Sequence, residues 1–122
     1  MAKKRILIID DDAELGEEMA EILEAEGYSV EKVSDGLKGI ELIRKNIYNV
    51  FLLDFKIQGM TGIDLLKIIR KKDPKAAVFF VSGRPGLDAI LAAESLSDEI
   101  KGIIEKPFDS ELLLEKVRAC HA

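Results

Sequence analysis

A chain of 122 residues, 48% apolar and 34% charged with a net charge of −5, suits one domain, and folding can bury roughly two-thirds of its surface. The acidic balance gives no overall basic footprint for nucleic acid or an anionic membrane, and interspersed Asp/Glu and Lys/Arg leave no charged tail. One cysteine, Cys120, excludes an internal disulfide and fits a reducing compartment, so a cytoplasmic location is expected.

The basic start Ala2-Lys3-Lys4-Arg5 leads into Ile6-Leu7-Ile8-Ile9, an apolar run too short for a signal peptide or a membrane span. It reads instead as a buried strand running into Asp10-Asp11-Asp12, with Asp12 the expected cap of the next helix. Leu15, Met19, Ile22 and Leu23 give that helix one apolar face, and Gly27 is its natural stop. Tyr28 to Val33 alternates, which predicts a half-buried strand nearer an edge. Asp35-Gly36 then opens a helix carrying Leu37, Ile40 and Ile43. Val50-Phe51-Leu52-Leu53-Asp54 is a continuous apolar run that reads as a fully buried strand, and it too ends in a carboxylate. A loop through Gly59-Met60-Thr61-Gly62 precedes a helix from Ile63 to Lys72, which stops before Pro74. Ala76 to Val81 is the fourth strand, ending at Ser82-Gly83. Leu87 to Leu96 suits a helix. Gly102-Ile103-Ile104 is a short fifth strand ending at Glu105-Lys106-Pro107. Asp109 or Ser110 caps a last helix whose inner face holds Leu113, Val117 and Cys120, and His121 is expected to take no part in chemistry.

Five strands alternating with five helices, joined by short connections, predict a doubly wound α/β domain with a parallel sheet and helices on both faces. In such a sheet every strand ends at the same edge, where open α/β folds place their ligands. Asp10, Asp11, Asp54, Ser82 and Lys106 therefore converge. Like charges about 4 Å apart cost roughly 4 kcal/mol at an effective dielectric near 20. Lys106 offsets part of that, and a hard divalent cation held by oxygen ligands is the further candidate. An aspartate can also act as a nucleophile and form an acyl phosphate, with a hydroxyl and an ammonium group aimed at the phosphoryl oxygens.

At these residues the chain resembles the receiver domains of two-component response regulators. The resemblance covers nearly the whole chain and rests on Ile8-Ile9-Asp10-Asp11-Asp12, Leu53-Asp54 with Gly59-Met60-Thr61-Gly62, Val81-Ser82-Gly83, and Lys106-Pro107-Phe108. It implies a flavodoxin-like five-stranded sheet of order 2-1-3-4-5 and a cis Lys106-Pro107 bond. By the same resemblance, Asp54 is the phosphoacceptor. Asp10, Asp11, Asp54 and the backbone carbonyl of Lys56 bind Mg²⁺, Ser82 is the switch hydroxyl, and Lys106 binds the phosphoryl group. The implied partner is a sensor histidine kinase or phosphotransfer protein, with switching at the fourth-helix, fifth-strand and fifth-helix surface and homodimerisation through it. Direct nucleic-acid or membrane binding is not expected, and the role is signalling rather than metabolic catalysis. Residues 1–122 are expected to be a single receiver domain without an output domain, either a stand-alone regulator or part of a longer protein.

Four departures from the family pattern stand out. Gln58 replaces a common proline and is expected to loosen the loop after Asp54. Ile103 replaces the usual aromatic residue three before the lysine. Leu96 to Lys101 lacks the usual Gly-Ala pattern. Lys56 and Arg84 place two cations beside the expected phosphoryl group, where they would obstruct the attacking water and prolong the phosphorylated state. Two other readings compete. A haloacid-dehalogenase-type phosphohydrolase would want a second aspartate where Lys56 stands, and a cap that this length scarcely allows. A non-phosphorylated pseudo-receiver would be an interaction module without Mg²⁺ affinity.

Overall fold

The computed structural model of the chain describes residues 4–120, so His121 lies outside the described residues. Five strands form one parallel sheet: β1 (Arg5–Ile9), β2 (Ser29–Val33), β3 (Val50–Asp54), β6 (Ala77–Ser82) and β7 (Gly102–Glu105). Their order is β2-β1-β3-β6-β7, which is the expected 2-1-3-4-5 once a separate hairpin is set aside. That hairpin, β4 (Lys56–Ile57) with β5 (Met60–Thr61), lies in the stretch expected to be plain loop. Gly59 turns it with φ +85°, a conformation that favours glycine.

The strands in the middle of the sheet are buried on both faces, which is why β1 and β3 read as continuous apolar runs rather than alternating ones. Ile6 to Ile9 are all fully buried, and each such side chain contributes about 2 kcal/mol. Their side chains still alternate between faces. Leu7, Ile9, Phe51, Leu53, Val78 and Phe80 pack with the helices α2 (Gly36–Lys45), α3 (Gly62–Lys72) and α4 (Leu87–Ala93). Ile6, Ile8, Val50, Leu52, Phe79 and Val81 pack with α1 (Ala13–Ala25) and α5 (Ser110–Ala119).

Helix ends follow local chemistry. Asp12, Asp35 and Asp109 accept the N–H groups of Leu15, Leu37 and Leu112 at 3.0–3.1 Å, and Thr61 with Asp64 forms a capping box for α3. After α1, Gly27 at φ +96° allows the N–H of Tyr28 to reach the Leu23 carbonyl at 3.2 Å.

One expectation needs correction. The fourth helix stops at Ala93 instead of reaching Leu96, and a 3-10 turn follows over Ser97–Glu99. Ser95 adopts φ +59°, so that its N–H reaches the Ala92 carbonyl and that of Leu96 the Leu91 carbonyl. This is the Schellman ending with serine where glycine is usual. Leu37, carried by α2 with Ile40 and Ile43, is 70% exposed and stands off that helix's inner face. That face is built on Gly36 and Gly39 with Ile40 and Ile43. A Cβ at Gly39 would lie 2.5 Å from Ile9 Cδ1, and one at Gly36 would lie 2.6 Å from Met60 Sδ. Close approach of the helix backbone, rather than apolar bulk, sets the orientation of α2.

Candidate functional site

Register brings the polar strand ends level. Ile9 pairs with Leu53, Asp54 with Val81, and Ser82 with Glu105. Asp10 therefore leaves the sheet beside Asp54, and Lys106 leaves it beside Ser82. Asp10, Asp54 and Ser82 are the buried polar residues of the described chain.

The carboxylates of Asp10, Asp11 and Asp54 each offer an oxygen within 4.8 Å of the others, with Asp11 exposed at the rim. Lys106 reaches into the cluster from the far side, its Nζ 3.2 Å from Asp10 Oδ2 and 3.5 Å from Asp54 Oδ1. The Lys106-Pro107 bond is cis, as expected. Backbone donors also hold these carboxylates: Asp12 N–H donates to Asp10 Oδ1 at 2.9 Å, and Lys56 N–H donates to Asp54 Oδ1 at 3.3 Å. Asp10 Oδ2 is buried, and the lysine faces it outside hydrogen-bonding alignment, so it has no hydrogen-bond donor.

Burial and charge together explain the titration of the site. With every group ionised, one ammonium against three carboxylates leaves the cluster negative. Burial first, then the Asp10 charge and the hydrogen bond with Asp11, push Asp54 up to about 7 against the opposing pull of Lys106 and the Lys56 N–H. Burial alone would lower the Lys106 pKa, but Asp10 and then Asp54 outweigh it, and the net shift is upward. The lysine stays charged while Asp54 is poised to take a proton.

The donor set fits a hard divalent cation. Three carboxylates supply oxygen ligands, one oxygen is buried without a donor, and among the described residues Lys106 is the one cation paired with them within 4.0 Å.

Ser82 stands at the end of β6, with its Oγ accepting the Arg84 N–H at 3.0 Å and its carbonyl accepting the Lys106 N–H at 3.0 Å. It is thus tied to both the loop leading into α4 and the lysine. An opening of about 590 Å³ lies here, flanked by Ser82, Arg84, Leu87, Ile103 and Lys106. The Arg84 guanidinium sits 6.0 Å over the ring of Phe55, the residue after Asp54, and Lys56 is exposed on the same loop.

Of two supporting residues, Phe55 escaped the reading of the sequence and Gly62 was read only as part of the loop motif. Phe55 is buried edge-on against Phe80 at 5.6 Å, and its carbonyl accepts the Gly62 N–H. Gly62 itself leaves no room for a side chain, since a Cβ there would lie 2.7 Å from Phe80 and 3.2 Å from the Asp54 carbonyl oxygen. The apolar residue after Asp54 and the glycine opening α3 were the available signals.

A family model described as response regulator receiver domain matches residues 6–118. The chain is 32% identical over 117 residues to the DNA-binding response regulator MtrA of Mycobacterium tuberculosis, covering 96% of this chain and 50% of that protein. It is 30% identical over 114 residues to the transcriptional regulatory protein CseB of Streptomyces avermitilis, covering 93% and 47%. The chain thus spans about half the length of the curated relatives it matches. Among solved structures, a CheY-like response regulator receiver domain protein from Methanospirillum hungatei matches with a TM-score of 0.87 and 34% identity, over 97% of this chain and 93% of that one. The chemotaxis response regulator CheY4 of Vibrio cholerae gives a TM-score of 0.86 at 21% identity over 98% and 99%, a likeness of fold.

Proposed function

The chain belongs to the response regulator receiver domain family, and on that premise we propose that it is a phosphorylation switch with Asp54 as the phosphoacceptor. The observation that carries this is the cluster itself, with three carboxylate oxygens within 4.8 Å and the Lys106 ammonium 3.5 Å from Asp54. The donor is a phosphohistidine on a sensor histidine kinase or phosphotransfer protein. An Asp54 carboxylate oxygen attacks phosphorus, the phosphorus–nitrogen bond breaks, and the imidazole leaves with its electron pair. Mg²⁺ held by Asp10, Asp11, Asp54 and the Lys56 carbonyl would supply charge neutralisation for the approaching phosphoryl group.

The chain's own residues do the rest. Lys106 donates to a phosphoryl oxygen, for which its retained charge suits it. Ser82 accepts from Arg84, which leaves its own O–H to turn toward the new anionic oxygen. That turn draws the loop before α4 with it and biases the surface of α4, β7 and α5 between two arrangements. Ile103 is aliphatic and only partly buried beside this opening, so the movement passes through repacking against α4 rather than rotation of a ring. The same surface is the expected place for homodimerisation. Arg84 and Lys56 flank the acyl phosphate and slow its hydrolysis. The protein assists its own phosphorylation and dephosphorylation and turns over no metabolite.

The test is to incubate the protein with Mg²⁺ and acetyl phosphate and weigh it intact, with Asp54→Asn and a metal-free sample as controls. One added phosphoryl group, absent from both controls, is the expected result. A folded protein that gains nothing and shows no Mg²⁺ affinity would instead be a non-phosphorylated interaction module.

A further inference from the structure

Folding separates charge that the sequence intersperses. Helix α1 carries five glutamates and no basic residue. On the opposite face of the sheet, residues 36–45 and 62–75, covering α2, α3 and the turn after it, hold eight Lys/Arg and three Asp/Glu, a net +5 within a chain of net −5. Some of these cations are engaged. Lys45 pairs with Glu41 at 2.8 Å, Lys72 donates to the carbonyls of Ile43, Arg44 and Asn46, and Arg70 donates to those of Asp73, Ala76 and Glu99. Arg44, Lys67, Lys71 and Lys75 are exposed, and among the described residues none has a carboxylate within 4.0 Å.

An apolar pocket of about 250 Å³ opens on the same face, between the carboxyl ends of α2 and α3. Ile43, Tyr48, Phe51 and Ile69 are buried residues that line it. Ile47 stands at its rim, 70% exposed. The volume is below the roughly 300–1,000 Å³ of small-molecule sites and suits one apolar side chain. An apolar centre with an exposed anchor and a charged rim is the anatomy of a protein-docking surface.

We propose that this α2–α3 face docks an acidic amphipathic segment of a partner protein, which seats an apolar side chain beside Ile47 and sets carboxylates against Arg44, Lys71 and Lys75. Charge complementarity selects this occupant. A second copy of the chain offers a poorer match among the described residues: α1, its most acidic helix, turns Met19 and Leu23 into the core, and α5, whose Leu112 is exposed, offsets Glu111 and Glu115 with Lys116 and Arg118. Nucleic acid would answer the cations but leave the pocket and Ile47 without a role, and the rest of the chain would repel it. The face lies away from the sheet edge that carries Asp54, so the inference does not depend on phosphorylation.

The probe is a synthetic peptide of Leu and Glu residues, about 14 long so that it can turn helix on the surface, followed by amide NMR on the full chain. The expected result is binding with shifts centred on Ile43, Ile47 and Ile69. Ile47→Asp and Lys71→Glu, both surface changes that leave the fold intact, should each weaken it at least tenfold. Absence of localised shifts at millimolar peptide would overturn the proposal. So would equal binding of a peptide with serine in place of leucine, tighter binding of a DNA duplex at the same face, or Ile47-dependent self-association.

Discussion

Replacing Asp54 by asparagine should stabilise the metal-free protein, and only above acid pH. The residue is 6% exposed, and its pKa is pushed up to about 7 from an ordinary value of 3.8. The native state therefore holds this proton more tightly than the unfolded chain does. Wild-type stability falls as pH rises from about 4 to about 7 through this group, and the cost is fully present above that. At about 1.4 kcal/mol per pKa unit, the shift corresponds to an upper bound of about 4 kcal/mol at pH 8. Asparagine keeps the shape and removes the charge, while Lys106 keeps Asp10 at 3.2 Å as a partner. Urea unfolding of both proteins at pH 4.5 and pH 8, in chelator, should show a small difference at the lower pH and a gain for Asp54→Asn of a few kcal/mol at the higher. Saturating Mg²⁺ should then stabilise the wild type selectively, by about 3 kcal/mol at a hundredfold excess over the dissociation constant. A pH-independent difference, or a less stable asparagine variant in chelator, would refute the account of the site as a stack of under-neutralised carboxylates.

Ser95→Gly should raise stability by about 1 kcal/mol, because φ +59° costs a non-glycine residue about that much; an unchanged urea midpoint would mean that the ending of α4 is not strained. Lys56→Asn and Arg84→Ala should each shorten the lifetime of the phosphorylated protein several-fold, read by intact mass after removal of the phosphodonor. Unchanged decay in both would remove these cations from the site's chemistry.

What was legible in the sequence was what burial and topology make redundant. A strand buried on both faces must be apolar throughout, so Ile6 to Ile9 and Val50 to Leu53 declare themselves, and a polar residue at the end of each marks the edge. The parallel arrangement then assembles Asp10, Asp54 and Lys106 without further information. Less legible were features that depend on shape. The β4–β5 hairpin rests on two-residue strands, too short to show a period, and only the buried Ile57 beside the Gly59 turn hints at it. Leu37 fits the spacing of Ile40 and Ile43, but the helix turns by its glycines because Ile9 and Met60 need their space. The end of α4 was misplaced since serine gave no stop signal. Charge segregation was hidden because the sequence does not show which face of the sheet each helix covers: α1 and α5 lie on one, α2, α3 and α4 on the other.

Two glycines allow packing strain to be separated from damage to the site. A methyl group at Gly39 would meet Ile9 Cδ1 at 2.5 Å, and one at Gly62 would meet the Phe80 ring at 2.7 Å. Both changes overpack the core and should cost about 1–3 kcal/mol, less up to about 1 kcal/mol that alanine returns within a helix at Gly39. The neighbours differ in what they can do. The contact at Gly39 is the far end of a flexible side chain, which can turn away. At Gly62 the added carbon is also 3.2 Å from the Asp54 carbonyl oxygen, and its N–H is the donor that holds Phe55. Backbone cannot turn away, so the strain passes into the strand end that carries the carboxylate. Gly62→Ala should therefore weaken Mg²⁺ affinity and slow phosphorylation by acetyl phosphate, whereas Gly39→Ala should lose stability and keep both. If the two variants lose Mg²⁺ affinity in proportion to their stability, the site is responding to the fold as a whole. The close contact of Gly62 with the Asp54 backbone would then have no separate role.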